Sequence, residues 1–194
     1  SGKVHTLCGE LTTADLPWSA GFEDGYYDGP ARMISCCLLP SYTLRSTDYA
    51  ASGTTSVQLC QGQRIVLPAC SDGLSGLQIS FKALKRNTTY EGTIIVGAMT
   101  NPYDESTFTP LATLRAVDVM RWLDFCVGLS GYAGTGKYAV IKCSDDYSNI
   151  NELFIDDVVL ESAPVCPPAV SLRAAKLGTT STMLTWDICQ GYAD

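Results

Sequence analysis

Apolar and polar residues alternate over short stretches of this chain, and each stretch ends at a turn-forming residue. In residues 77–83 (LQISFKA), Leu77, Ile79, Phe81 and Ala83 fall on one face and the polar residues on the other. Successive side chains of a β-strand point to opposite faces, so this period of two predicts a strand with one buried face.

The same kind of segment recurs along most of the chain. Residues 93–99 (TIIVGAM) are apolar on both faces, as in a central strand, and residues 122–129 (WLDFCVGL) direct every second side chain from Leu123 inward. Gly, Ser, Asn or Pro bounds each segment, and no long stretch has a period of 3.6 residues. About ten such strands predict an all-β fold of two packed antiparallel sheets, either a sandwich or a jelly roll.

A proline-rich break follows the last of these strands at residues 162–170 (SAPVCPPAV). Proline cannot donate to a sheet ladder, so we expect a domain boundary there. Residues 168–187 then predict a strand, a turn and a second strand, with Trp186 in the core of this tail. They resemble the first two strands of a fibronectin type III domain, which needs about seven strands. The predicted organisation is a cleavage scar and leader (1–7), a jelly-roll domain (8–162), and a linker with a truncated fibronectin type III-like segment (163–194).

Composition narrows the possible partners. The chain has 194 residues and a net charge of −7, and its one basic cluster is Lys82, Lys85 and Arg86. Proteins bind nucleic acid through clustered Lys and Arg, so a nucleic-acid partner is not expected, and we interpret this cluster as a solvated turn. No apolar run approaches the roughly 18 residues of a membrane span. We therefore expect no membrane-spanning segment.

Nine cysteines favour an oxidising compartment, and the odd number leaves at least one unpaired. Cys126 and Cys143 flank a glycine-rich segment almost symmetrically, as facing residues of a hairpin would, while Cys60 and Cys70 bracket another short strand. The alternative is that most of the cysteines are buried free thiols that act as small hydrophobic residues. A zinc site is not favoured because the chain has no CxxC spacing and only one histidine, His5.

Two acidic pairs are the main candidates for a metal site. Asp156 and Asp157 lie inside the apolar segment 153–160 (LFIDDVVL), so one of them faces inward, where an ionised carboxylate is costly. Glu23 and Asp24 follow a short apolar segment near the start, and the two pairs meet if the terminal strands are neighbours. Calcium accepts six to eight oxygen ligands and would compensate this charge. The alternative is that both pairs are solvated strand edges that block edge-to-edge pairing.

The order of several motifs resembles the cleaved-adhesin and MAM-like jelly-roll modules of bacterial surface proteins, over about residues 8–162. The resemblance is carried by residues 14–25 (ADLPWSAGFEDG), 67–84 (LPACSDGLSGLQISFKAL), 95–114 (IVGAMTNPYDESTFTPLATL), GKYAVIKC and LFIDDVVL. It implies a concanavalin-like β-sandwich, often with a structural calcium, that serves adhesion or glycan binding on large secreted proteins such as gingipain proteases. Carried over by position, the implied ligands are Glu23 and one of Asp156 or Asp157, with Asp24 as a further candidate. Family members usually carry Cys-Trp where this chain has Cys36 and Cys37.

A glycan-binding surface needs exposed aromatic rings flanked by polar groups. The candidates are Trp122 and the loop tyrosines Tyr26, Tyr27, Tyr103 and Tyr132. Trp122 shares its phase with Asp124, and packing in a core is the favoured alternative for it. The alternative for the tyrosines is that they are ordinary loop residues.

Three functions remain open at this point. The first is a noncatalytic adhesion or carbohydrate-binding module, extracellular or at the cell surface, that belongs to a multidomain chain and contacts a host or bacterial surface glycan or protein. The second is a glycan-active hydrolase with two catalytic carboxyl groups. They would lie about 5–5.5 Å apart as acid and nucleophile, or about 6.5–9.5 Å apart as acid and base. It is disfavoured because the carboxylates are not grouped with aromatics along a cleft. The third is a structural spacer without a ligand.

Overall fold

The computed structural model describes residues 13–24, 33–39, 44–146 and 152–192. Within these ranges the chain forms strands and one short 3-10 helix, Glu105–Thr107. The strands are β1 (Trp18–Ala20), β2 (Met33–Ile34), β3 (Cys37–Leu38), β4 (Leu44–Ser46), β5 (Ser56–Cys60), β6 (Arg64–Ala69), β7 (Leu77–Lys85), β8 (Thr93–Met99), β9 (Thr109–Arg115), β10 (Leu123–Gly128), β11 (Tyr138–Cys143), β12 (Glu152–Ser162), β13 (Ala169–Lys176) and β14 (Thr182–Ile188).

Two six-stranded antiparallel sheets form the body of the molecule. The first has the order β10-β7-β12-β5-β4, with β1 also paired to β12, and the second has the order β2-β3-β6-β11-β8-β9. Neighbours in these orders are often far apart in sequence, which is the crossing connectivity of a jelly roll. The predicted all-β jelly-roll sandwich is confirmed.

The core lies between the two sheets and follows the predicted alternation. Leu77, Ile79, Phe81 and Ala83 of β7 all belong to the main cluster of buried side chains. β8 lies between β11 and β9, in the interior position that its apolar character on both faces predicts. The local period of two therefore identified both the strands and their buried faces.

The tail is a hairpin attached to the first sheet. Its strands β13 and β14 pair only with each other, and β12 ends at Ser162, where the proline-rich break begins. A disulfide joins Cys126 of β10 to Cys189, and the Gly128 amide donates to the Gln190 carbonyl at 2.6 Å. The prediction that Trp186 lies in a tail core was wrong: 56% of its surface is exposed, because a two-stranded sheet has no second layer to cover it.

The cysteine interpretation also needs correction. Cys126 and Cys143 do not face each other, because β10 belongs to the first sheet and β11 to the second. Cys36 is disulfide-bonded as well. The free cysteines in the described part of the chain are Cys37, Cys60, Cys70, Cys143 and Cys166.

Three of these thiols behave as the alternative interpretation expects. Cys37, Cys70 and Cys143 are buried, and burial raises the pKa of Cys70 to about 11 and that of Cys143 to about 12. They act as small hydrophobic residues with unreactive thiols. Within the described ranges, no helix has the length and apolar character needed to cross a membrane.

Candidate functional site

The acidic pair Asp156–Asp157 lies where β12 changes its neighbour. Along one edge, residues 152–155 pair with β5, and residues 158–160 pair with β1. On the other edge, the register with β7 shifts between Asp156 and Val159, which is a β-bulge. A bulge leaves extra backbone unpaired and redirects side chains, so both carboxylates lie at a gap between two partner strands.

Asp156 is the inward member of the pair. None of its surface is exposed, and its carboxylate accepts hydrogen bonds from the amides of Ala51 at 2.7 Å, Ser52 at 3.2 Å and Asp157 at 2.7 Å. Burial raises the pKa of Asp156, and the hydrogen bonds from these three amides partly offset this rise by lowering the pKa. Backbone N–H groups therefore supply the compensation that the buried charge requires.

Asp157 is half-buried and points to the same loop from the other side. Its φ of 48° is in the left-handed region, which is uncommon for a residue other than glycine but tolerated by Asp. Its carboxylate accepts the Ser52 hydroxyl at 2.5 Å. The burial differs as predicted, with Asp156 buried and Asp157 partly exposed, but both carboxylates contact Ser52 because the bulge interrupts the strand alternation.

Glu23 holds the far end of this loop. Its carboxylate accepts four hydrogen bonds, from the amide and hydroxyl of Thr54 at 2.9 and 2.7 Å and from those of Thr55 at 2.8 and 3.1 Å. These bonds, those of Thr54 foremost, lower the pKa of Glu23 to about 2. We refer to Glu23, Asp156 and Asp157, together with loop 51–55, as the carboxylate clamp.

A glycine makes the close approach of Glu23 possible. Gly53 has a φ of 61°, and a Cβ atom built on it would lie 2.4 Å from Oε1 of Glu23. Only glycine has both the backbone freedom and the missing side chain that this position requires. The clamp thus depends on loop residues that no spacing of acidic side chains revealed.

Asp24 does not join the clamp. Its carboxylate accepts the Ser35 hydroxyl at 3.0 Å, and its carbonyl accepts the Ser35 amide at 3.1 Å, so it holds the turn between β2 and β3. Three of the four predicted metal ligands therefore contact one loop. Among the described residues, no three His, Cys, Asp or Glu side chains are grouped as a metal site.

The predicted aromatic contact residues are scattered. Tyr26 and Tyr27 lie outside the described residues, Tyr103 is 63% exposed, and Trp122 is half-buried. Tyr132 is buried, and its hydroxyl accepts the Gly136 amide at 2.8 Å. Its predicted place on an exposed surface was therefore wrong, because the ring folds back on its own glycine-rich loop.

Sequence reasoning overlooked a different group of residues. Asp124, Phe125, Arg173 and Asp187 line the space between the sandwich and the tail hairpin. No local sequence pattern indicates that these residues lie together, because the contacts between β10 and the tail are between segments far apart in the chain. The one available signal was Cys126 beside Asp124 and Phe125, and its partner could not be chosen from spacing.

Comparison with known proteins shows similarity of fold to several solved structures. No protein-family model and no curated relative matches the chain. The CBM22-1 xylan-binding domain of Paenibacillus barcinonensis Xyn10C aligns over 81% of this chain and 100% of its own, with 13% identity and a TM-score of 0.50. The chain shares its β-sandwich fold.

The K3 cleaved adhesin domain of Lys-gingipain from Porphyromonas gingivalis is also a structural neighbour. It aligns over 59% of this chain and 76% of its own, with 19% identity and a TM-score of 0.45. Gingipain adhesin domains, the group that the sequence motifs resemble, are thus present among the neighbours. The glycoside hydrolase domain of Endo-D from Streptococcus pneumoniae matches with a TM-score of 0.40, over 26% of its own length.

Proposed function

We propose that this chain is a noncatalytic carbohydrate-binding or adhesion module. The observation that carries the proposal is the use of its carboxylates: Asp156 and Glu23 together accept seven hydrogen bonds from the protein itself. The shared fold with a domain described as xylan-binding supports glycan as the ligand class. A rigid sandwich that presents loops is well suited to binding without chemistry.

A glycosidase needs two accessible carboxyl groups, of which one has a raised pKa so that it can protonate the leaving group. Asp156 has a raised pKa but no exposed surface. Glu23 is exposed, but its pKa of about 2 makes it a poor proton donor near neutral pH. The clamp residues therefore do not provide the acid and base that hydrolysis requires.

The proposed setting is the surface of a cell, or a larger secreted protein of several domains. The Cys126–Cys189 disulfide favours an oxidising compartment. The tail resembles the start of a fibronectin type III domain, and such domains occur in chains with several modules. The proposed partner is a glycan, or a glycan-bearing protein, on a host or bacterial surface.

A structural calcium is part of this proposal. The carboxylates of Glu23, Asp156 and Asp157, with Asp24 nearby in sequence, form with the hydroxyls of loop 51–55 the hard oxygen donors that calcium prefers. Since no three acidic side chains are grouped among the described residues, carbonyl and hydroxyl oxygens would supply most of the ligands. The ion would cross-link loop 51–55 to β12 and to the segment that follows β1, and it has no chemical role here.

Calcium stabilisation is tested by thermal unfolding with added calcium and with EDTA. A ligand that binds only the folded state raises the melting temperature, so calcium should raise it for the wild-type chain. Asp157→Asn should lose most of this rise, because asparagine keeps the left-handed backbone but removes the charge. Equal melting temperatures with calcium and with EDTA in the wild-type chain would show that the clamp works without a metal.

Glycan binding is tested on an array of neutral and acidic oligosaccharides. We expect saturable binding to a subset of glycans, with no release of reducing sugar on prolonged incubation. An array without binding would remove the proposed function, and time-dependent release of sugar would replace it with hydrolysis.

A further inference from the structure

A cleft separates the tail hairpin from the edge of the sandwich. It consists of two adjoining cavities of about 320 and 430 Å³, and both are lined by Asp124, Phe125 and Val170. Pockets for small molecules typically measure about 300–1,000 Å³ and often lie between structural units. The shared lining makes the two cavities consecutive sections of one groove around Asp124 and Phe125.

An aromatic pair at the edge of the sandwich borders the cleft. Phe125 is half-buried, and its ring stacks on Phe81 with centroids 5.6 Å apart and planes 24° apart. Phe81 belongs to the main core and Phe125 packs against it, so both rings lie on the core face of the first sheet, opposite to the side chain of Asp124. Phe125 therefore gives the cleft a rigid apolar border at the edge of the sandwich.

The walls of the cleft carry paired charges of both signs. On the sandwich side, Nζ of Lys82 lies 2.7 Å from Oδ1 of Asp124. On the hairpin side, a guanidinium nitrogen of Arg173 lies 3.1 Å from Oδ2 of Asp187. Ionised carboxylates and guanidinium groups retain acceptor and donor capacity beyond a single partner. Because each cation is matched by an anion, the cleft suits an uncharged ligand that both donates and accepts hydrogen bonds.

The hairpin wall is fixed in position. Near the open end of the hairpin, the Cys126–Cys189 disulfide anchors one strand, and the Ser171 hydroxyl on the other strand donates to the Asp124 carbonyl at 2.7 Å. The Gln190 amide also donates to the Cys126 carbonyl at 3.1 Å. A cleft whose walls are already ordered loses little entropy when a ligand binds.

We propose that this cleft is the binding site for a neutral oligosaccharide whose hydroxyl groups bond to Asp124 and Asp187. Sugar hydroxyls both donate and accept hydrogen bonds, which matches walls whose ion-paired carboxylate, ammonium and guanidinium groups retain acceptor and donor capacity. The two cavities together give the site room for more than one sugar unit. This inference rests on the proposed glycan-binding function and assigns it a site on both the sandwich and the tail.

The test uses the full chain and a glycan that the wild-type protein binds on the array. Affinity is measured by titration calorimetry for Asp124→Ala on the sandwich wall, Asp187→Ala on the hairpin wall and the control Asp118→Ala. Asp118 is also paired with a cation, Arg121 at 3.3 Å, but it lines neither cavity. Exposed ion pairs contribute at most about 1 kcal/mol to stability, so all three variants should stay folded, and a thermal melt verifies this.

We expect each cleft variant to bind the glycan about tenfold more weakly, because the loss of one hydrogen bond to a charged group weakens binding by about this factor. The control should bind the glycan as tightly as the wild-type chain does. Unchanged affinity in both cleft variants would overturn the cleft as the site while glycan binding itself stands. A requirement for an acidic glycan would overturn the charge-balance argument. If the wild-type chain binds no glycan, the glycan-binding function and this inference both fail; binding to polypeptides alone would leave adhesion as the function and overturn this inference.

Discussion

Substitution of Gly53 by alanine tests the carboxylate clamp most directly. The new methyl group meets two obstacles: the left-handed backbone at a φ of 61°, and the carboxylate of Glu23 at 2.4 Å from the added carbon. The backbone term costs about 1 kcal/mol for a residue with a Cβ. Glu23 can swing into solvent to relieve the contact, so the second term is the loss of its four hydrogen bonds to Thr54 and Thr55.

The expected magnitude follows from these two terms. Glu23 is exposed, so its bonds are screened by water, and we assign roughly 1–2 kcal/mol to all four together. The total for Gly53→Ala is therefore roughly 2–3 kcal/mol, or a fall of roughly 4–12 °C in melting temperature for a chain of this size. Urea denaturation gives the free energy of unfolding, and an unchanged slope would show that the denatured state is not affected.

Gly73→Ala is the matched control. Gly73 has a φ of 82°, but nothing lies within 4 Å of its added Cβ, so only the backbone term of about 1 kcal/mol applies. In a Glu23→Ala background, Gly53→Ala should lower the free energy of unfolding only by the backbone term of about 1 kcal/mol, because the hydrogen bonds of Glu23 are already absent. The double-mutant cycle should therefore give a coupling free energy of roughly 1–2 kcal/mol. Equal costs for the two glycine variants in the wild-type chain, or strict additivity with Glu23→Ala, would refute the clamp.

Two further predictions concern the other side of the clamp and its dependence on pH. Asp156→Ala should lower the free energy of unfolding by about 3 kcal/mol, because the amides of Ala51 and Ser52 lose their acceptor, and a loss below about 1 kcal/mol in urea denaturation would contradict this account. The pKa of Glu23 falls from 4.5 to about 2 on folding, so its stabilisation is complete above pH 4.5 and disappears as the pH approaches 2. The difference in melting temperature between the wild-type chain and Glu23→Gln should therefore narrow over this range, and a constant difference would argue against ionised Glu23 as the acceptor.

The clamp and the cleft meet on one strand. Asp157 contributes to the clamp through Ser52, and it also lines the larger of the two cavities. Under the proposed function, a fixed loop 51–55 keeps the bulge in β12 in a single conformation next to the ligand. Rigid scaffolds position binding residues in this way at low entropic cost.

Much of the fold was predictable because its signals are local. The period of two in residues 77–83 identified the strand and its buried face, and the acidic pair in β12 had to place one carboxylate inward whatever its neighbours were. The proline-rich segment after Ser162 marked the end of β12 for an equally local reason, since proline cannot donate to a ladder.

Two residues were assigned wrongly because the local pattern does not specify their contacts. Cys126 could not be matched to Cys189 from spacing, because 63 residues separate them and the tail had first to fold against β10. Tyr132 was assigned to an exposed loop, but the return of that loop at Gly136 buries its ring. Neither contact leaves a mark on the residues immediately around it.

The sequence by itself determined the strands, their inward faces and the need to compensate Asp156, because backbone geometry and the cost of a buried charge act at each residue separately. Only the tertiary structure decided that loop amides supply this compensation, and that the tail forms a cleft against β10. Those outcomes depend on which strands become neighbours, and that choice comes from the packing of the whole sandwich rather than from any one segment.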